Sequence, residues 1–126
     1  MDLKRLSVLI FGAFYLIAGV NHFVNPSFYL PLIPESLPYP EAINILSGLI
    51  EIVLGVGSLI KRTRKMSAIL IILMLVAFIP SHVYFIQIGS CVEAGLCVSP
   101  WIAWLRLLVI HPLLIFWAYK VYSFRA

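Results

Sequence analysis

The chain of 126 residues is 63% hydrophobic and 11% charged, with a mean hydropathy of +1.06 and a formal net charge of +4. So apolar a composition excludes an ordinary soluble domain and makes lipid the expected solvent. Eight of the nine Lys and Arg residues flank alternate gaps between long apolar runs, so the basic balance reflects topology and predicts no nucleic-acid partner.

Lys4 and Arg5 precede the first apolar run, Leu6 to Phe23. Its basic start resembles a signal peptide, but no small-x-small cleavage site precedes His22, which predicts retention as a span. Gly12 and Gly19 lie on it, at positions that would let another helix approach closely.

The connection from Val24 to Glu41 holds five of the eight prolines and no Lys or Arg. Proline removes a backbone donor and restricts its predecessor, so an irregular loop without regular helix is expected, lying on the outer mouth of the bundle. Phe28, Tyr29 and Tyr39 are expected at headgroup depth, with Trp101 and Trp104 farther along the chain.

The second run, Ala42 to Ile60, carries Ser47, Gly48, Gly55 and Gly57, and among them Glu51. Glu51 lies ten residues before Lys61, hence about 15 Å from the inner surface by helical rise. Ser47, Glu51 and Gly55 form one stripe, so the carboxyl is expected to point into the bundle and to require a partner or a proton.

The segment KRTRK joins this run to the third, Met66 to Ile88, as a tight hairpin. Pro80 and His82 fall in the third run, where Pro80 cannot donate to the carbonyl of Val76 and a kink is expected. The connection from Gly89 to Pro100 again lacks Lys and Arg and carries the only cysteines, Cys91 and Cys97. On an oxidising outer side they fit either a disulfide staple worth about 2 kcal/mol or a redox pair, although C-x5-C lacks the specificity of C-x-x-C.

The fourth run, Trp101 to Tyr122, contains Arg106 about 8 Å below its outer start, then His111 and Pro112. Lys120 and Arg125 close the inner side. At about 100° per residue Arg106 and His111 diverge by roughly 140°, so a single cluster with His22, Glu51 and His82 is not expected.

Each run matches the roughly 20 residues a helix needs to cross a bilayer. The expected fold is all-α: a polytopic membrane protein forming one four-transmembrane-helix antiparallel bundle over residues 1–126, with the N-terminus and C-terminus cytoplasmic. A Glu51 to Arg106 ion pair is the simplest way to carry both charges into lipid. With His22, His82 and His111 these two residues are the candidate ligand-binding set, each histidine fitting equally an interhelical hydrogen bond to a carbonyl. Paired histidines leave haem open, and three histidines with Glu51 leave a metal open, but no H-E-x-x-H or similar motif supports either.

The segments GVNHFVNPSFYLPLIPESLPYPEAINILSGLIEIVLGVGSLI and WLRLLVIHPLLIFWA, with the basic turn between the runs, resemble the DoxX-like family of small four-helix membrane proteins. Gly19, His22, Phe23, Pro26, the loop prolines, Gly48, Glu51, Gly55, Pro80, Trp104 and Arg106 carry the resemblance, over about Gly12 to Tyr119. His82 and His111 depart from it, replacing an Asn and a Gln of many relatives. The resemblance implies a four-helix bundle and, in some members, a link to quinone-reducing oxidoreductase complexes of sulfur metabolism; other relatives look like accessory or assembly factors, and the expected location is a bacterial inner membrane.

Two functions of different class follow as expectations. One is an accessory or binding subunit of a membrane complex, with an outer-half pocket for a quinone-like or lipid ligand and a membrane or periplasmic protein partner or a homo-oligomeric state. The other is a redox protein coupling the Cys91 and Cys97 pair to quinone, with the histidines and Glu51 handling protons. Transport is the third and least favoured, because four short spans carry no evident repeat.

Overall fold

Asp2 starts the first helix by accepting the Arg5 N–H at 2.7 Å, which supplies one of the acceptors a helix start needs. Helix α1 then runs over Leu3–Val24. In this computed structural model the described residues are 1–93 and 95–124, so Arg125, counted among the inner-side cations, lies outside them. A one-turn helix α2, Pro26–Tyr29, and a 3-10 turn, Leu30–Leu32, lead to α3, Pro40–Leu59. The third span is two helices, α4 over Arg64–Ala77 and α5 over Ile79–Gln87. The fourth is α6, Pro100–Leu105, a π-helical turn, Arg106–Ile110, and α7, His111–Ser123.

The four rods of 22, 20, 24 and 24 residues are long and apolar enough to cross a membrane. They pack in chain order as an up-and-down bundle, α1 on α3, α3 on α4, and α4 on α7, with α7 returning to α1. Trp117 Nε1 donates to Ser7 Oγ at 2.9 Å across that last contact. No strand occurs among the described residues. Ile17, Val53, Leu73 and Leu108 are each at least 60% exposed, an outward apolar belt that water would penalise and acyl chains would not.

The α1–α3 contact is made backbone to backbone. A Cβ added at Gly19 would sit 2.7 Å from the Gly48 carbonyl oxygen, and one added at Gly55 would sit 2.8 Å from the Leu16 nitrogen. The remaining core, Phe11, Tyr15, Ile71, Leu75, Ala118 and Val121, fills the space between α1, α4 and α7.

One expectation about proline is corrected and one is met. The loop after α1 does contain regular turns, because Pro26 and Pro31 occupy first-turn positions where a missing N–H costs nothing. In the third span the expected kink is present: the helix breaks at Phe78, and the Leu75 carbonyl at the break takes a side-chain donor. His111 Nε2 donates to it at 2.6 Å.

The connection between α3 and α4 is held by its own basic and hydroxyl side chains. Arg64 Nε donates to the Ser58 carbonyl at 2.8 Å, Arg64 Nη2 to that of Leu59 at 3.2 Å, and Thr63 Oγ1 to that of Gly57 at 2.7 Å. These are the last carbonyls of α3, which lack intrahelical partners.

Candidate functional site

Above the α3–α4 hairpin, α3 and α5 part, while the proline loop covers the gap. The result is a cavity of about 990 Å3 at the proline-loop end of the bundle. Its walls are largely apolar, with Phe28, Leu32, Phe78 and Phe85 among them, and its polar groups include His22, Asn44, Ser47, Glu51, His82 and Arg106.

Asn44 sets the chemistry of one wall. Its Nδ2 donates to the His22 carbonyl at 3.0 Å, which turns its Oδ1 toward His22 Nδ1 at 2.7 Å. Nδ1 must therefore carry the hydrogen and donate. That leaves Nε2 facing Glu51 Oε2 at 3.2 Å, so a proton must lie between these two atoms for the approach to be attractive. The geometry is off-line for a hydrogen bond, and Glu51 Oε2 has no hydrogen-bond partner among the described residues.

Tyr29 covers the same imidazole, its ring stacked on that of His22 with centroids 3.8 Å apart and planes 18° apart. Asn21 Nδ2 donates to the phenol oxygen at 2.7 Å. Burial pushes the Tyr29 phenol above its ordinary range, and nearby Glu51 adds to this while the Asn21 hydrogen bond opposes it. Tyr29 is half-buried against His22, whereas Tyr39 is 78% exposed.

The other wall carries Arg106. Its guanidinium lies over the Phe85 ring, 5.4 Å from the centroid, and its buried Nη1 has no hydrogen-bond partner among the described residues. The expected Glu51 to Arg106 ion pair is not formed; the ion-pair partner of Glu51 is His22. The physical reason is the glycine contact between α1 and α3, which brings His22 against Glu51 while Arg106 stays across the cavity.

A π-helical turn links Arg106 to His111, and the two do not both share one cavity with His22, Glu51 and His82. The His111 N–H bonds to the Arg106 carbonyl, five residues earlier. His111 is buried behind the cavity and does not line it; its ring meets that of His82, centroids 4.6 Å apart. Four of the five candidate ligand-binding residues, His22, Glu51, His82 and Arg106, thus share one cavity, with His111 supporting His82 from behind. Asn44 was not singled out from the sequence, although it sits seven residues before Glu51 on the same helical face.

Cys91 and Cys97 form a disulfide within an isolated antiparallel bridge. The Ser90 N–H bonds to the Phe85 carbonyl at 2.9 Å, and Val92, Leu96 and Val98 pack on Leu32, Phe85 and Ala103. The staple therefore braces the wall on which Arg106 rests, while neither sulfur lines the cavity. Among the described residues no group of three or more His, Cys, Asp or Glu is placed to hold a metal ion.

No curated protein and no solved structure matches the chain. A family model does match, over residues 11–122, which takes in the second and third rods, most of the first and fourth, and the residues that line the cavity. The chain belongs to the family described as Domain of unknown function (DUF8561).

Proposed function

We propose that this protein is an integral membrane accessory or binding subunit of the DoxX-like kind, holding a quinone-like or lipid headgroup in the cavity beneath the proline loop. Its termini lie in the cytoplasm of a bacterial cell, and the cavity opens in the outer half of the inner membrane. The charge pattern supports this orientation, since Lys4, Arg5, Lys61, Arg62, Arg64, Lys65 and Lys120 all belong to one end of the bundle.

The observation that carries the reading is that two buried atoms, Glu51 Oε2 and Arg106 Nη1, accept or donate no hydrogen bond among the described residues, though Oε2 faces His22, on residues that line one apolar-walled cavity. Unmet polar groups in such surroundings cost free energy that a guest bearing hydroxyl or carbonyl oxygens recovers. The His22 and Glu51 pair offers a proton-holding edge, and Arg106 offers donors only. A guest enters between α3 and α5, where the rods diverge toward lipid.

Extraction of the protein in native nanodiscs, followed by mass spectrometry of the co-purified small molecules, tests the proposal. An amphiphile enriched with the wild type and lost with Arg106→Gln is expected. Identical lipid and quinone profiles for both proteins would reject it.

A second reading, redox exchange at Cys91 and Cys97 coupled to quinone, is favoured by one feature: both cysteines are exposed. Full activity of the partner complex with Cys91→Ser, Cys97→Ser would eliminate that cycle.

A further inference from the structure

The opposite end of the bundle holds a second concavity, of about 590 Å3, between the start of α1, the α3–α4 connection and Phe124 after α7. Lys4, Arg5, Lys61 and Arg64 line it together with a single carboxylate, Asp2, an excess of three positive charges (4 − 1) in one hollow. No ion pair engages any of these cations among the described residues. Asp2 is occupied as the cap of α1, accepting the Arg5 N–H. Arg64 is held in place by its two hydrogen bonds to the end of α3, and Lys4 Nζ lies 5.7 Å from the Phe124 ring centroid. The positive end of the α1 dipole adds to the potential.

Topology alone asks only that cations flank the spans; it does not require that residues from separate segments converge on one hollow. Val8, Leu9, Leu59 and Phe124 complete the walls with apolar surface at the level where an apolar bundle meets headgroups. We propose that this hollow binds the phosphate headgroup of an anionic membrane lipid, with the lipid's glycerol and first methylenes against those apolar walls. The site is independent of the cavity under the proline loop. Two further cations of the same connection, Arg62 and Lys65, do not line it and serve as an internal control.

Native mass spectrometry of the full-length protein with phosphatidylglycerol, cardiolipin, phosphatidylcholine or inorganic phosphate tests this. The anionic lipids are expected to be retained well above phosphatidylcholine. Arg5→Gln and Lys61→Gln, at exposed positions, should each weaken that retention about fivefold, the factor for roughly 1 kcal/mol per charge near an anionic surface, while Arg62→Gln leaves it unchanged. Helical circular dichroism checks that each variant is folded. Equal retention of phosphatidylcholine would overturn the proposal, as would an Arg62→Gln loss equal to that of Lys61→Gln. Inorganic phosphate binding as strongly as the lipids would overturn it too, because the apolar walls would then contribute nothing.

Discussion

His22 Nε2 lies 3.2 Å from Glu51 Oε2, and the two residues belong to helices whose backbones touch through Gly19 and Gly48. The closeness of the helices is thus what gives a carboxyl near the middle of a span its counter-group. It also leaves Arg106, on the far wall, with a buried nitrogen that no described residue satisfies.

Asn44 holds His22 in this role through two hydrogen bonds. Asn44→Leu should destabilise the fold by about 1–3 kcal/mol, because it strands both the His22 carbonyl and Nδ1 in a buried place. Asn44→Asp, which keeps an acceptor for Nδ1, should lose less. Thermal melting in detergent gives the order; equal melting of wild type and Asn44→Leu would show that the hydrogen bonds do not anchor the site.

Gly48→Ala should separate α1 from α3. The new Cβ would meet His22 Cβ at 2.7 Å and the Gly19 carbonyl oxygen at 3.0 Å, and neither helix backbone can give way locally. A loss of about 1–3 kcal/mol is expected, with Ser47→Ala, one residue away, melting as the wild type does. Identical melting of Gly48→Ala and wild type would contradict so tight a contact.

Most of the architecture is legible in the sequence. The four rods follow from apolar run length, and the inward stripe of Ser47, Glu51 and Gly55 follows from helical spacing. The partner of Glu51 is not legible, because it depends on which helix face α1 presents, and spacing along α3 carries no information about that. The π turn between Arg106 and His111 is not legible for a different reason. A five-residue π turn shifts the register by an amount that a fixed 100° per residue cannot register.

Closing a loop of six residues' separation, the Cys91 to Cys97 bridge is expected to contribute about 2 kcal/mol. Reduction should lower the melting temperature and loosen the wall around Phe85 while leaving the helix content unchanged. Circular dichroism with and without a reductant measures both, and a melting temperature indifferent to reduction would remove the bracing role.

Tyr29 gives the fold a dependence on alkaline pH. Its phenol is raised in the folded chain by burial, so the folded state holds its proton after the unfolded state has released it. Its contribution is complete below the unfolded value of 10.0 and is lost as pH rises from there through the folded value. Tyr29→Phe should flatten that part of the decline in melting temperature above pH 10.0. An unchanged alkaline profile would mean that the phenol is not buried against His22.

The most direct measurement is an experimental density map of the protein in a lipid nanodisc, taken at the cavity between α3 and α5. Density for a guest reaching both Arg106 and the His22 and Glu51 pair is the expected result. A cavity closed by side-chain collapse, with Arg106 turned out to the acyl chains and nothing polar beside Glu51, would contradict it.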